Sequence, residues 1–217
     1  MEKTEEVLTR IHTACFTGHR FLPEAEMSRI MEQTACEIAR AYGEGFNRFI
    51  CGGAIGFDTL AAKEVIRFRL EHPDVILMIA VPCQNQSERW AKKDKLEYRN
   101  ILNQADEVFV LSDRYYEGCM QARNRFMVDH SSLCFCYMTR FEGGTWATVR
   151  YAMHQHLSVR NVAIRLDSTG VMKEYPWNSI YISRFAKGNA NTVHLFRFRL
   201  KKVKRINMSR RCLKRQD

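Results

Sequence analysis

A chain of 217 residues with 46% apolar residues can bury a substantial core, and it fits one α/β domain with or without an appendage. No apolar run approaches the roughly 18 residues that cross a membrane, and the opening MEKTEEVLTRIHTACF is polar and acidic with no apolar signal core, so a cytoplasmic protein is expected. The net charge of +10 is concentrated: residues 197–217 hold ten Lys/Arg and one Asp, net +9, which leaves +1 for residues 1–196 and no electrostatic case for nucleic acid in the body.

Strand-like and helix-like runs alternate along the chain. Thr13–Thr17 (TACFT) reads as a first strand and leads into Gly-His-Arg-Phe-Leu-Pro. A helix is expected over 24–42, where Met27, Ile30, Met31, Ala35, Ile38 and Ala41 recur at three/four spacing, and Gly43 and Gly45 end it. The second strand is 48–51, followed by a helix over 57–71 that His72-Pro73-Asp74 breaks. Val75–Val81 is an apolar run of strand length. The pattern then continues as helix 88–104, strand 107–111, helix 120–131, strand 133–138, helix 145–156 and strand 161–166.

Runs apolar on every side indicate strands buried on both faces. Six βα units without a hairpin predict an α/β fold: a Rossmann-like, doubly wound, mainly parallel sheet of about six strands with helices on both faces. Six units are too few for an eight-fold barrel. After residue 168 the alternation stops, which sets a domain of 1–168 and a basic extension of 169–217. Within that extension His194–Leu200 could form a short strand, and the last residues read as a solvated tail.

Of the eight cysteines, Cys15, Cys51, Cys134 and Cys136 lie in strand-like runs and Cys36 on a helical one, and the Cys134-Phe-Cys136 spacing suits neither zinc nor a redox pair. They read as reduced, buried residues, and no metal is expected.

Ligands of parallel sheets bind outside the carboxyl ends of the strands. Three loops there are rich in glycine: Gly18-His19-Arg20 after strand one, Gly52-Gly53-Ala54-Ile55-Gly56 after strand two, and Gly143-Gly144-Thr145 after strand five. Glycine lets a backbone approach a ligand, and helix-start N–H groups suit an anion. One such loop could be only a turn; three on one edge point to a phosphate-bearing ligand. Neither GxGxxG nor GxxxxGK[ST] fits, so ordinary dehydrogenase and P-loop readings are weak.

The runs CFTGHRFLP, CGGAIGFDTLAAKEV, YYEGCMQARN with Met127-Val-Asp129, and GGTWATVRYA resemble the YpsA-like branch of the SLOG superfamily over about residues 12–168. That superfamily also holds the LOG phosphoribohydrolases and DprA-type proteins. The resemblance implies a Rossmann-like fold and a nucleotide pocket, with no required cofactor. Its ligand would be NAD, ADP-ribose or a nucleoside monophosphate of the AMP class. It also hints at a role in cell division or stress and at a homodimer or a protein partner.

Carried over position by position, the LOG glycine loop falls on Gly52, Gly53 and Gly56, and the Arg of its Met-x-x-Arg pattern falls on Arg123. Its Gly-Thr-x-x-Glu motif falls on Gly144-Thr145-Trp-Ala-Thr148, which puts Thr148 where the catalytic Glu would stand. A hydroxyl can hydrogen-bond a ribose or phosphate, but it cannot stabilise an oxocarbenium ion as a carboxylate does. The catalytic residue is therefore unknown, with Glu142 and Asp129 as candidates for a relocated carboxylate.

Ala54, Asp58, Asn124, His19 and Arg20 complete the expected ligand-binding set. Each also has a structural reading: Asp58 as an early-helix acid, Asn124 and Thr145 as helix caps, His19 as a loop residue, Arg123 as half of an ion pair. Three functions follow in order: a nucleotide sensor or regulator, an N-glycosidic hydrolase, and a DprA-like nucleic-acid binder using the basic tail.

Overall fold

The structure, a computed structural model, describes residues 9–163. Its strands are β1 Thr13–Gly18, β2 Arg48–Cys51, β3 Ile76–Val81, β4 Glu107–Val110, β5 Leu133–Tyr137 and β6 Ser158–Asn161. They form one sheet in the order β4-β3-β2-β1-β5-β6, parallel at every pairing. Between them run α1 Met27–Gly43, preceded by a 3-10 turn at Glu24–Glu26, then α2 Phe57–Arg69, α3 Lys92–Gln104, α4 Cys119–Asp129 and α5 Gly143–His154.

Each central strand alternates its side chains between two cores, which is why its sequence is apolar on both faces. Ala14, Phe16, Phe49, Leu77, Ile79 and Phe135 pack with Ile30, Ile38, Leu60, Val65 and Ile101 from α1, α2 and α3. Cys15, Ile50, Met78, Ala80 and Cys134 pack with Met127, Val128 and Ala152 from α4 and α5. An aromatic cluster centres on Phe16, stacked on Phe135 at 5.2 Å between centroids and touching Phe49 and Phe57 at 6.1 and 6.3 Å. Burying each such ring stabilises the fold by about 1.5–3 kcal/mol.

Strands β1 to β4 step outward on one side, and the chain then returns to lay β5 beside β1. The loops leaving β1 and β5 diverge to opposite faces, and the crevice between them is the topological switch point where doubly wound sheets bind ligands.

Several boundaries differ from expectation. The last strand is Ser158–Asn161, not 161–166. It pairs with β5 from Leu133↔Ser158 to Cys136↔Asn161, a register that a tight turn through His156 (φ 62°) sets three residues early. An edge strand of half-buried residues does not need an apolar run. α3 starts at Lys92, because residues 84–90 form successive turns in which Asn85 holds Tyr115 N and Glu88. α2 ends at Arg69 rather than 71. By internal contacts the chain divides into Met1–Ala163 and Ile164–Asp217. The extension expected from 169, its strand and its basic tail lie outside the described residues. Among the described residues no helix is long and apolar enough to cross a membrane.

Candidate functional site at the carboxyl edge

The loop after β2 is shaped by protein atoms as much as by any ligand. A Cβ at Gly52 would overlap Arg123 Nη1 and sit 2.6 Å from Asp58 Oδ2. A Cβ at Gly56 would overlap the carbonyl oxygens of His19 and Arg20, and Gly56 also has φ +89°. At Gly18 a Cβ would come 2.5 Å from Phe57. These three glycines let the β1 loop, the β2 loop and α2 close on one another. Gly53 stands at φ +59°, with Tyr98 Cε2 3.0 Å from where its Cβ would be. Only Gly143 and Gly144 face open space among the expected glycines.

Arg123, on α4, reaches across to this loop and is 5% exposed. Its Nη1 donates to Gly52 O and lies 3.6 Å from Asp58 Oδ2; its Nε donates to Asn124 Oδ1 at 2.8 Å. Asn124 Nδ2 donates in turn to Thr148 Oγ1 at 2.8 Å, and Thr148 Oγ1 donates to Gly144 O at 2.8 Å. One continuous chain of hydrogen bonds thus ties the β2 loop to the start of α5. Asn124 and Thr148 are spent in it, and Asn124 is not a cap. Nη2 of Arg123 makes no hydrogen bond among the described residues, yet it is not among the buried unpaired atoms. It is the free end of the guanidinium.

Asp58 is buried in the first turn of α2 and accepts from Ala54 N at 3.4 Å. Burial raises its carboxyl above the ordinary value, opposed by the Arg123 charge, by the N–H groups of Ala54 and Gly52, and by the Arg20 charge. Burial likewise lowers Arg123, against the pull of Asp58, while the like charge of Arg20 lowers it further. Desolvation outweighs the pair attraction on both sides, as expected for two charges taken out of water at 3.6 Å. Arg123 stays protonated at any ordinary pH. Arg20 itself is exposed and makes no hydrogen bond or ion pair among the described residues, but its charge is felt by both members of the pair.

His19 spans the switch point. Its Nε2 accepts from Thr139 N at 2.9 Å, and its ring meets Tyr137 edge-on at 5.9 Å. That acceptor role places the proton on Nδ1. Burial lowers the His19 pKa, with Arg140 adding to the effect and Glu142 opposing it.

α5 begins at Gly143, two residues before Thr145, so Thr145 is buried inside the first turn and does not cap it. The starts of α2, α4 and α5, at N-caps Gly56, Gly118 and Glu142, all lack a side-chain cap. Their first-turn N–H groups face the carboxyl edge. Of the two carboxylates named as relocated acids, Asp129 ends α4 at the opposite edge of the sheet and holds Tyr151 OH at 2.9 Å, which removes it from the site. Glu142 lies on the right edge but is exposed and 3.5 Å from Arg140. Trp90 packs edge-on against Tyr98 at 5.3 Å.

Gln86 and Tyr98 were not singled out from the sequence. Both are buried against Gly53, and burial pushes the Tyr98 hydroxyl up to about 12. The sequence of residues 82–90 carries no pattern that marks which residue turns inward.

Residues 23–166 match the family model of the YspA SLOG family. The chain belongs to that family. Among curated proteins, the SPbeta prophage-derived protein YoqJ of Bacillus subtilis is 30% identical over 122 residues, covering 51% of this chain and 71% of that protein. A UPF0398 protein of Halalkalibacterium halodurans is 33% identical over 97 residues, 44% of this chain and 51% of the relative, so the chain spans about half of that relative's length. Two solved structures share the fold. DNA processing protein A (DprA) of Streptococcus pneumoniae has a TM-score of 0.51 at 16% identity over 69% of this chain and 49% of its own. DprA of Helicobacter pylori, described for its single-stranded DNA binding mode, has a TM-score of 0.54 at 15% identity over 90% of this chain and 84% of its own. The SLOG resemblance read from the four motifs and the Rossmann-like class are therefore both established.

Proposed function

We propose that this SLOG protein binds a nucleotide-derived ligand of the NAD, ADP-ribose or nucleoside monophosphate class at the carboxyl edge of its sheet. It acts as a cytoplasmic sensor that passes the bound state to a protein partner or a second copy, in cell division or stress, without the LOG reaction. The observation that carries this reading is Arg123: its Nε and Nη1 are fixed by the protein, and Nη2 is left to bond a phosphate. Arg20 adds a second cation beside Asp58, and the start of α5 adds N–H donors, while at α2 Phe57 N and Thr59 N, and at α4 Cys119 N, are already bonded to His19 O, Ala54 O and Tyr116 O. The absence of the LOG chemistry rests on Thr148, whose hydroxyl is already spent on Gly144 O and Asn124.

The test is a thermal-shift screen with NAD, ADP-ribose and AMP on the wild type and on Arg20→Ala. A ligand at 100 times its Kd adds about 2.7 kcal/mol, or roughly 5–11 °C at about 2–4 °C per kcal/mol. Arg20→Ala should cut the rise and leave the ligand-free melt unchanged. No rise with any nucleotide would sink the reading. Free adenine released from AMP would instead favour the hydrolase, with Glu142 as the only one of its two carboxylates still on this edge.

A second reading has one observation in its favour, the net +9 of residues 197–217. Such a tail would bind single-stranded nucleic acid by charge, as the DprA neighbours' fold makes worth asking. Deleting residues 169–217 would abolish DNA binding under that reading and leave nucleotide shifts intact under the first.

A further inference from the structure

We infer that Gln86 is a specificity-determining residue that reads the exocyclic amino group of an adenine-type base; this rests on the nucleotide reading above and names the part of the ligand that reading leaves open. Gln86 lies in the turns after β3, with its backbone N–H bonded to Cys83 O at 3.0 Å and only 8% of the residue exposed. Its Nε2 donates to Gly53 O at 3.1 Å. A carbonyl can only accept, so the amide orientation is fixed: nitrogen on Gly53, oxygen on the other side. That oxygen, Oε1, is buried with no hydrogen-bond partner.

Among the described residues two other buried side-chain atoms lack partners, Arg29 Nε and Arg48 Nε. Both are donors on guanidinium groups held elsewhere, Arg29 through Nη1 and Nη2 to Val162 O and Glu26, Arg48 through Nη2 to Glu107. Gln86 Oε1 is the acceptor of the three, and it sits at the glycine loop of the candidate site. An unpaired buried acceptor is costly, and a ligand donor would remove that cost on binding.

The surroundings select the kind of donor. Gly53, at φ +59°, brings its Cα against Tyr98 Cε2, Ile79 Cγ2 and Gln86 Nε2, at 3.0, 3.1 and 3.6 Å from where a Cβ would lie. Apolar atoms of Tyr98 and Ile79 thus pack on the Nε2 side of the amide, and Oε1 is the acceptor left over; that combination suits a flat ring with an N–H at its edge better than a sugar hydroxyl. On the far side of Gly53, Arg123 holds Gly52 O and offers Nη2 to a phosphate. Base and phosphate would thus lie on either side of one glycine pair. Oε1 is sealed in this structure, so a base that reaches it requires the turns over residues 84–90 to open.

The experiment compares the full chain's affinity for AMP and for purine riboside 5′-monophosphate, which lacks only the 6-amino group, by calorimetry. AMP should bind the wild type about tenfold or more tightly, since a site built to bond a group rejects the analogue without it. Gln86→Met, of similar volume but with no acceptor, should bind the two within about twofold of each other. Equal binding by the wild type overturns the proposal, and that comparison needs no variant. A preference for AMP that survives in Gln86→Met also overturns it, because another group then reads the amine. If neither binds while inosine 5′-monophosphate, which has no exocyclic amine, does, Gln86 is refuted and the nucleotide reading stands; if no nucleotide binds, both fall.

Discussion

Replacing Arg123 by Met should unfold the site from within, and the structure sets the size of the effect. Met keeps most of the apolar stem but leaves Asp58 buried without its cation, and it strips the partners from Gly52 O and Asn124 Oδ1. Removing one partner of a buried pair costs about 3–5 kcal/mol, since the remaining charge is uncompensated. At about 2–4 °C per kcal/mol, the melting temperature should fall by roughly 6–20 °C.

The pH dependence supplies an internal check. Burial already holds the Asp58 pKa above its unfolded value, so the folded state binds the extra proton more readily than the unfolded chain does. Its contribution is therefore present below the unfolded carboxylate pKa, about 3.9, and is lost as pH rises through the raised folded value. Without Arg123 that folded value rises further, and the loss extends to higher pH. Calorimetric melts of the variant between pH 5 and 8 should show stability falling with pH more steeply than in the wild type. Arg123→Met/Asp58→Asn should recover part of the loss and flatten the profile. A single variant melting within about 2 °C of the wild type, or a double variant no better than the single, would refute the reasoning. For the same reason Arg20→Ala, and not Arg123→Ala, is the informative binding variant.

The two kinds of glycine should separate cleanly. Gly52→Ala drives a Cβ into Arg123 and Asp58, and an overpacking cost of at least about 1–3 kcal/mol should show as a lower melting temperature. Gly144→Ala meets nothing within 4 Å and should gain about 0.4–1 kcal/mol, or roughly 1–4 °C in the same melts. His19 has a lowered folded pKa, so the stability it confers is present above the unfolded value, about 6.5, and is lost as pH falls through it towards the lowered folded value. Melts of the wild type and His19→Gln at pH 5.5 and 7.5 should show the wild type losing more on acidification, because the imidazolium cannot accept from Thr139 N. Incubation of AMP with the wild type, followed by chromatography, should give no free adenine.

The sequence by itself determined the class of the fold and pointed to the edge where the candidate site is sought. Apolar runs such as Ile76–Val81 and Leu133–Tyr137 announce strands buried on both faces, and their alternation with helices at three/four spacing leaves few topologies open. Motifs quoted from four loops placed the chain in its superfamily. Boundaries failed where packing did not demand apolar residues, at β6 and in the turns before α3. Only the tertiary structure decided what the glycines do. A missing Cβ serves equally for a ligand's approach and for a side chain's, and at Gly18, Gly52 and Gly56 the occupants are Phe57, Arg123 with Asp58, and the β1 loop backbone. It also decided that Asn124 and Thr148 bond each other 24 positions apart, and that Gln86 and Tyr98 close on Gly53. These pairings are long-range, and no local pattern encodes which side chain a parallel sheet will bring to the mouth of a neighbouring strand.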